Sequence, residues 1–173
     1  MGLFDKFASA FSGPAVDHAA EIAAAGGDAA LATARVVPSA YTRGGGGGVS
    51  LDGKLLNAAL SAVQNTASGS KHLGGVEGST AHQLSRASDV MVLSLGEDAL
   101  TWWDFGMTAN SVPPELTQRV DRTQVASIVD TGTKAQGGVP VVRFTFADGS
   151  WADYRVMQPS ETFWSVAAAY GRA

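Results

Sequence analysis

The chain contains no cysteine, which excludes disulfides, thiolate nucleophiles and Cys-ligated metals, and suits a reducing compartment. Charge is scarce as well. Only 16% of its 173 residues are Asp, Glu, Lys or Arg, and 12 basic against 16 acidic side chains leave a net charge of -4. No Lys/Arg cluster breaks that balance, so a nucleic-acid partner, whose phosphates demand dense cations, is not expected. No run approaches the ~20 apolar residues of a membrane-spanning helix. The N-terminus lacks the basic segment and long apolar segment of a signal peptide, so a cytoplasmic protein is expected. Chemistry-bearing patterns are thin too. Gly48 to Leu55 fits G-x-x-x-x-G-K but carries Leu55 where a phosphate-binding loop needs a Ser or Thr hydroxyl for Mg²⁺. His18 and Glu21 lie one helical turn apart without further ligands nearby, and no serine stands in a G-x-S-x-G elbow. Neither a catalytic set, a cofactor nor a metal is expected.

What is present is a β signal. Residues 139–157 read as a hairpin whose register follows from the side chains. With a type I turn on Ala147 and Asp148, and Gly149 left-handed as a bulge, Phe146 faces Ser150. Val142, Phe144 and Phe146 then share a face with Ala152, Tyr154 and Val156, while Arg143 meets Asp153 and Thr145 meets Trp151. A two-residue turn on Asp148 and Gly149 would instead place Asp153 and Arg155 among the phenylalanines, at a cost of several kcal/mol.

Upstream, residues 1–11 set Leu3, Phe4, Phe7 and Phe11 at helical spacing, a stripe suited to a membrane surface, a partner or the chain's own domain. A second helix is expected over residues 15–25, with Val16, Ala19, Ala20 and Ala23 as its narrow stripe and Gly26-Gly27 as its stop. Alternation then predicts a strand over 30–37, ended by Pro38. Residues 39–88 form a Gly-rich excursion. Inside it a helix over 51–67 is expected, where Leu51, Leu55, Leu56, Leu60 and Val63 leave an apolar surface that needs cover. His72 and His82 fall in stretches that read as flexible.

Strands are expected over 90–95, 100–105, 116–120 and 125–131, ahead of the hairpin. The chain closes on a helix, with Gln158 or Ser160 at its cap and Phe163, Val166, Ala167 and Tyr170 on one face. Adjacent strand residues point oppositely, so if Trp102 joins the core, Trp103 and Phe105 point outward. Trp151 adds to that outer surface, which either the 39–88 insertion or another molecule must cover.

This order of elements is that of a pleckstrin-homology-like (PH-like) split barrel: about seven antiparallel strands, mainly β in an α+β class, plugged by a C-terminal helix. Residues 90–103, 125–129, 143–150 and 163–171, with Ala34-Arg35-Val36 in the first strand, resemble a bacterial PH-like domain family of unassigned function. The resemblance spans residues 28–171 outside the insertion and leaves 1–27 as an N-terminal helical segment. It implies a binding or scaffolding role without catalytic residues. Basic residues that grip inositol phosphates in PH domains cluster on the first inter-strand loop. Here Arg43, Lys54, Lys71 and Arg86 are scattered along the insertion, so such binding is not expected. The expected role is a protein-interaction or self-associating assembly module. Peripheral membrane attachment through residues 3–11 and an apolar ligand between insertion and barrel are the alternatives.

Overall fold

The computed structural model describes residues 17–39, 71–84, 90–105 and 113–170. Helix α1 (Ala19–Ala24) leads into strand β1 (Ala30–Pro38). The short β2 (Leu73–Gly74) and helix α2 (Thr80–Leu84) follow. Then come β3 (Met91–Gly96), β4 (Ala99–Asp104), β5 (Glu115–Asp121), β6 (Val125–Lys134), β7 (Pro140–Phe146) and β8 (Trp151–Met157). Helix α3 (Glu161–Ala169) ends the described chain.

Every pairing is antiparallel, in the order β5-β4-β3-β1-β8-β7-β6, with β2 added to β8. Strand β1 is the shared element. Ala30 through Val36 pair with β3, and Arg35 through Pro38 pair with β8, so one strand serves two halves of the sheet. Its inward residues Ala32 and Ala34 are small, which leaves room for α3 to pack against the same strand. Val120 of β5 and Ile128 of β6, from the two edges of the sheet, belong to one buried cluster with Trp102, Phe144 and Phe163. The open sheet is therefore curled around a common interior, with α3 laid against β1, β6 and β3.

The hairpin register is the expected one. Arg143 lies opposite Asp153 and Thr145 opposite Trp151. Phe146 N–H donates to Ser150 O at 2.8 Å, Gly149 N–H donates to Phe146 O at 3.0 Å, and Gly149 has φ +78°. Alternation sorts the side chains: Val142, Phe144, Phe146, Ala152, Tyr154 and Val156 are buried, none more than 3% exposed.

Helix α3 begins where Ser160 Oγ accepts the Phe163 N–H at 3.0 Å, an N-cap that selects Ser160 over Gln158. Its far end is fastened to the β3–β4 turn. The Tyr170 hydroxyl reaches the carbonyls of Gly96 and Ala99. Arg122 donates to Ala169 O at 3.1 Å and to Glu97 O at 3.2 Å, with its guanidinium 4.5 Å over the Tyr170 ring. Burial pushes the Tyr170 phenol up to about 12 from 10.0, so ionisation is harder in the folded chain. The folded value is the higher one. That stability is complete below pH 10 and fades as pH rises from 10 to about 12. Tyr170→Phe is expected to lower stability at pH 7 by about 1 kcal/mol. It should also flatten the alkaline limb of a pH series of urea melts.

Candidate interaction surface

The outer face of the sheet carries a transverse row set by the register: Leu116 on β5, Trp103 on β4, Val92 on β3, Arg35 on β1 and Met157 on β8. Trp103 is indeed on this face, yet it is only 3% exposed. Its cover is α1. Ile22, fully buried, forms with Val92 and Trp103 a cluster distinct from the interior of the curled sheet, with Ala25 and Phe105 packed at its rim. The chain turns away beside the indole, since a Cβ on Gly27 would stand 2.6 Å from the Trp103 ring. Among the described residues the covering element is thus α1, a source the sequence did not suggest beside the insertion or a second molecule. The stripe of α1 also differs from the expected one. Its inward residues are His18 and Ile22, one turn apart, with Ala25 half-buried, whereas Ala20 and Ala23 face solvent. Among alanines, the one large aliphatic side chain in the helix decides which side packs, and Ile22 was the signal available.

Polar contacts orient α1. His18, 4% exposed, donates its backbone N–H to Thr33 Oγ1 at 3.1 Å, and Thr33 Oγ1 donates to Asp17 Oδ1 at 3.2 Å. The ring Nδ1 lies 2.7 Å from Glu21 Oε2, and Arg35 Nε donates to Nε2 at 3.4 Å. Because Arg35 can only donate, Nε2 must accept, which assigns the ring proton to Nδ1, pointing at Glu21. The Phe105 ring lies tilted at 55° to the His18 ring, with centroids 4.8 Å apart. Leu116, opposite Trp103 in the register, is 45% exposed.

A second fastening lies on the β7–β8 side. Asp153, 3% exposed, accepts Arg143 Nε at 2.8 Å on Oδ1 and Arg143 Nη2 at 3.0 Å on Oδ2. His72 Nδ1 approaches Oδ2 at 3.1 Å. The Asp153 hydrogen bonds raise the Arg143 pKa further above its ordinary value, so the guanidinium stays charged. That guanidinium lies 3.6 Å over the half-buried Trp151 ring, and Gly74 of β2 faces the same indole so closely that a Cβ there would stand 2.0 Å from Nε1. Trp151 is therefore covered in part by the insertion, as one of the two expected sources.

The flexible reading of residues 71–84 does not hold: His72 adjoins β2, and His82 lies within α2. A two-residue strand shows no period, which is why alternation missed it.

Helix α2 is held at its start by the hairpin turn. Asp148 Oδ2 accepts the Thr80 N–H at 2.8 Å, and Ser150 Oγ accepts the Ala81 N–H at 3.1 Å. The Ser150 hydroxyl, donating to Asp148 Oδ1 at 2.5 Å, and the backbone donors Thr80 and Ser150 hold the Asp148 carboxyl far below its ordinary 3.8. The folded value is the lower one. Its stabilisation is present above about pH 4 and is lost as pH falls below that value. Because Asp148 stands in solvent, Asp148→Ala is expected to cost about 1 kcal/mol, the scale of a lost helix cap. In acid titrations the variant should lose less stability between pH 4 and 2 than the parent chain.

An open cleft of about 230 Å³ lies between the start of β1 and the start of α3, lined by Asp17, Leu31, Thr33, Ser160 and Thr162 among others. Leu51, Leu55, Leu56, Leu60 and Val63, and Leu3, Phe4, Phe7 and Phe11, lie outside the described residues, as does the Gly48 to Leu55 motif. Among the described residues no helix is long and apolar enough to cross a membrane, and no group of three or more His, Asp or Glu side chains is placed to hold a metal ion. Comparison of the chain with protein-family models, with curated proteins and with solved structures finds no match.

Proposed function

We propose that the chain is a PH-like split barrel acting as a non-enzymatic protein-interaction or assembly module that associates with itself. The observation that carries this reading is the path of the sheet. Strand β1 is shared between β3 and β8, the other strands run outward on each side, and α3 stoppers the curl. An antiparallel sheet with a C-terminal helix supports the order of elements taken from the sequence resemblance, and the step from fold to role is an analogy.

The use made of the two His–carboxylate pairs supports binding over chemistry. His72 meets Asp153 of β8, and His18, paired with Glu21 on its own segment, accepts from Arg35 of β1, so both histidines tie an outlying segment to the sheet. Apolar side chains left exposed, Leu31, Val90 and Leu116, supply surface for a partner. Light scattering of the full chain across a concentration series is expected to give a mass of two chains or more. A monomer unchanged up to tens of micromolar would contradict self-association.

A further inference from the structure

We infer that the outer face around Trp103 is a helix-docking surface, filled in cis by α1, that takes residues 17–27 of a second copy of the chain when α1 leaves it. The inference rests on the reading of the chain as a self-associating module, and names the surface through which it associates.

The surface is separable from the barrel. Ile22, Val92 and Trp103 form a cluster of their own, so lifting α1 removes none of the interior packing around Trp102 and Phe144. Trp103 is also self-sufficient. Its Nε1–H donates to Thr101 Oγ1 at 2.8 Å on the same strand, so departure of α1 leaves no orphaned indole donor. Helix α1, by contrast, has six residues, far below the length at which a helix persists alone, and depends on the face it covers. Gly26, at φ +82°, ends the helix in a conformation open to glycine and gives the segment a pivot.

The occupant can be identified because one is seated there. Ile22 fills the space between Val92 and Trp103, while Glu21 and Arg35 reach His18 from opposite sides. The same segment from a second copy brings the same side chains to the same partners, the logic of exchange between protomers. Apolar surface continues past α1 to Leu116, which sits opposite Trp103 in the register, and to Val90. A second molecule has more to cover than α1 itself does.

The test uses a labelled peptide of residues 17–27 titrated into the intact chain and into its Ile22→Asp variant. The variant, whose own helix no longer fits, is expected to bind the peptide at least about tenfold more tightly, because the surface is no longer occupied in cis. Adding Val92→Asp to that variant should abolish binding. Equal affinity for the intact chain and Ile22→Asp, absence of binding to a folded Ile22→Asp, or binding that survives Val92→Asp would each overturn the inference. Hydrogen exchange on the intact chain reads the same device without a substitution. The amides of Ala25, Gly26 and Gly27 are expected to exchange about 100-fold faster than those of the β7–β8 ladder. Equal protection would mean that α1 leaves only when the barrel unfolds, which overturns the inference. If the chain assembles in light scattering while Ile22→Asp ignores the peptide, this surface is overturned and the proposed assembly role stands.

Discussion

Trp102→Ala is expected to lower the unfolding free energy by about 3–5 kcal/mol, the range for an aromatic removed from a close-packed core. Trp102 is fully buried, with ring centroids 6.5 Å from Phe144 and 6.0 Å from Tyr154, and Phe144 meets Tyr154 edge-on at 5.2 Å. These three rings come from β4, β7 and β8, so one truncation loosens both halves of the sheet. The indole N–H of Trp102 is buried and has no acceptor among the described residues. Trp102→Phe removes that uncompensated donor along with some volume, and is expected to cost less than about 1.5 kcal/mol. Both variants lack the indole N–H, so the difference between them in equilibrium urea unfolding reads the packing of the ring alone, and equal losses would contradict the packing account.

Arg143→Met is expected to cost about 3 kcal/mol, because it strands a carboxylate that is 3% exposed. His72 remains beside Asp153 and limits the loss. The guanidinium is more exposed than its partner, at 36%, so the upper end of the range for buried pairs does not apply. Arg143→Met combined with Asp153→Leu should regain more than half of the loss, since no unpaired charge is left in the interior. A double-mutant cycle measures that coupling, and additive losses would contradict the pairing. The same substitution removes the cation from the face of Trp151, so β2, held against that indole through Gly74, should lose protection from exchange in Arg143→Met.

The parts of the fold that were legible in the sequence are those where local chemistry pins the register. In residues 139–157, a type I turn on Ala147 and Asp148 with Gly149 as a bulge, and the cost of placing Asp153 and Arg155 among the phenylalanines, leave a single arrangement, and the structure has it. The α3 face of Phe163, Val166, Ala167 and Tyr170 was legible for the same reason, while the cap was narrowed only to Gln158 or Ser160. Helix α1 was visible as a helix, but its inward side was not. Alanine carries too little apolar contrast to define a stripe, and His18 reads as polar although it is buried through Glu21, Arg35 and Thr33. Strand β2 and helix α2 were illegible because their partners are distant. Leu73 pairs with Ala152, and Thr80 is capped by Asp148, 68 residues away. Pairing at that separation leaves no mark in local periodicity. Trp103 could be assigned to the outer face by alternation alone, while the identity of its cover depended on tertiary packing of a helix whose one large aliphatic side chain is Ile22.

Exchange of the four indole N–H protons, followed by NMR in the intact chain and in Ile22→Asp, tests most directly the claim that the chain covers its own outer tryptophan with a removable helix. Slow exchange at Trp102 and Trp103 is expected in the intact chain, with loss of protection at Trp103 alone in the variant. Fast exchange at Trp103 in the intact chain, or loss of protection at Trp102 and Trp103 together in the variant, would contradict it.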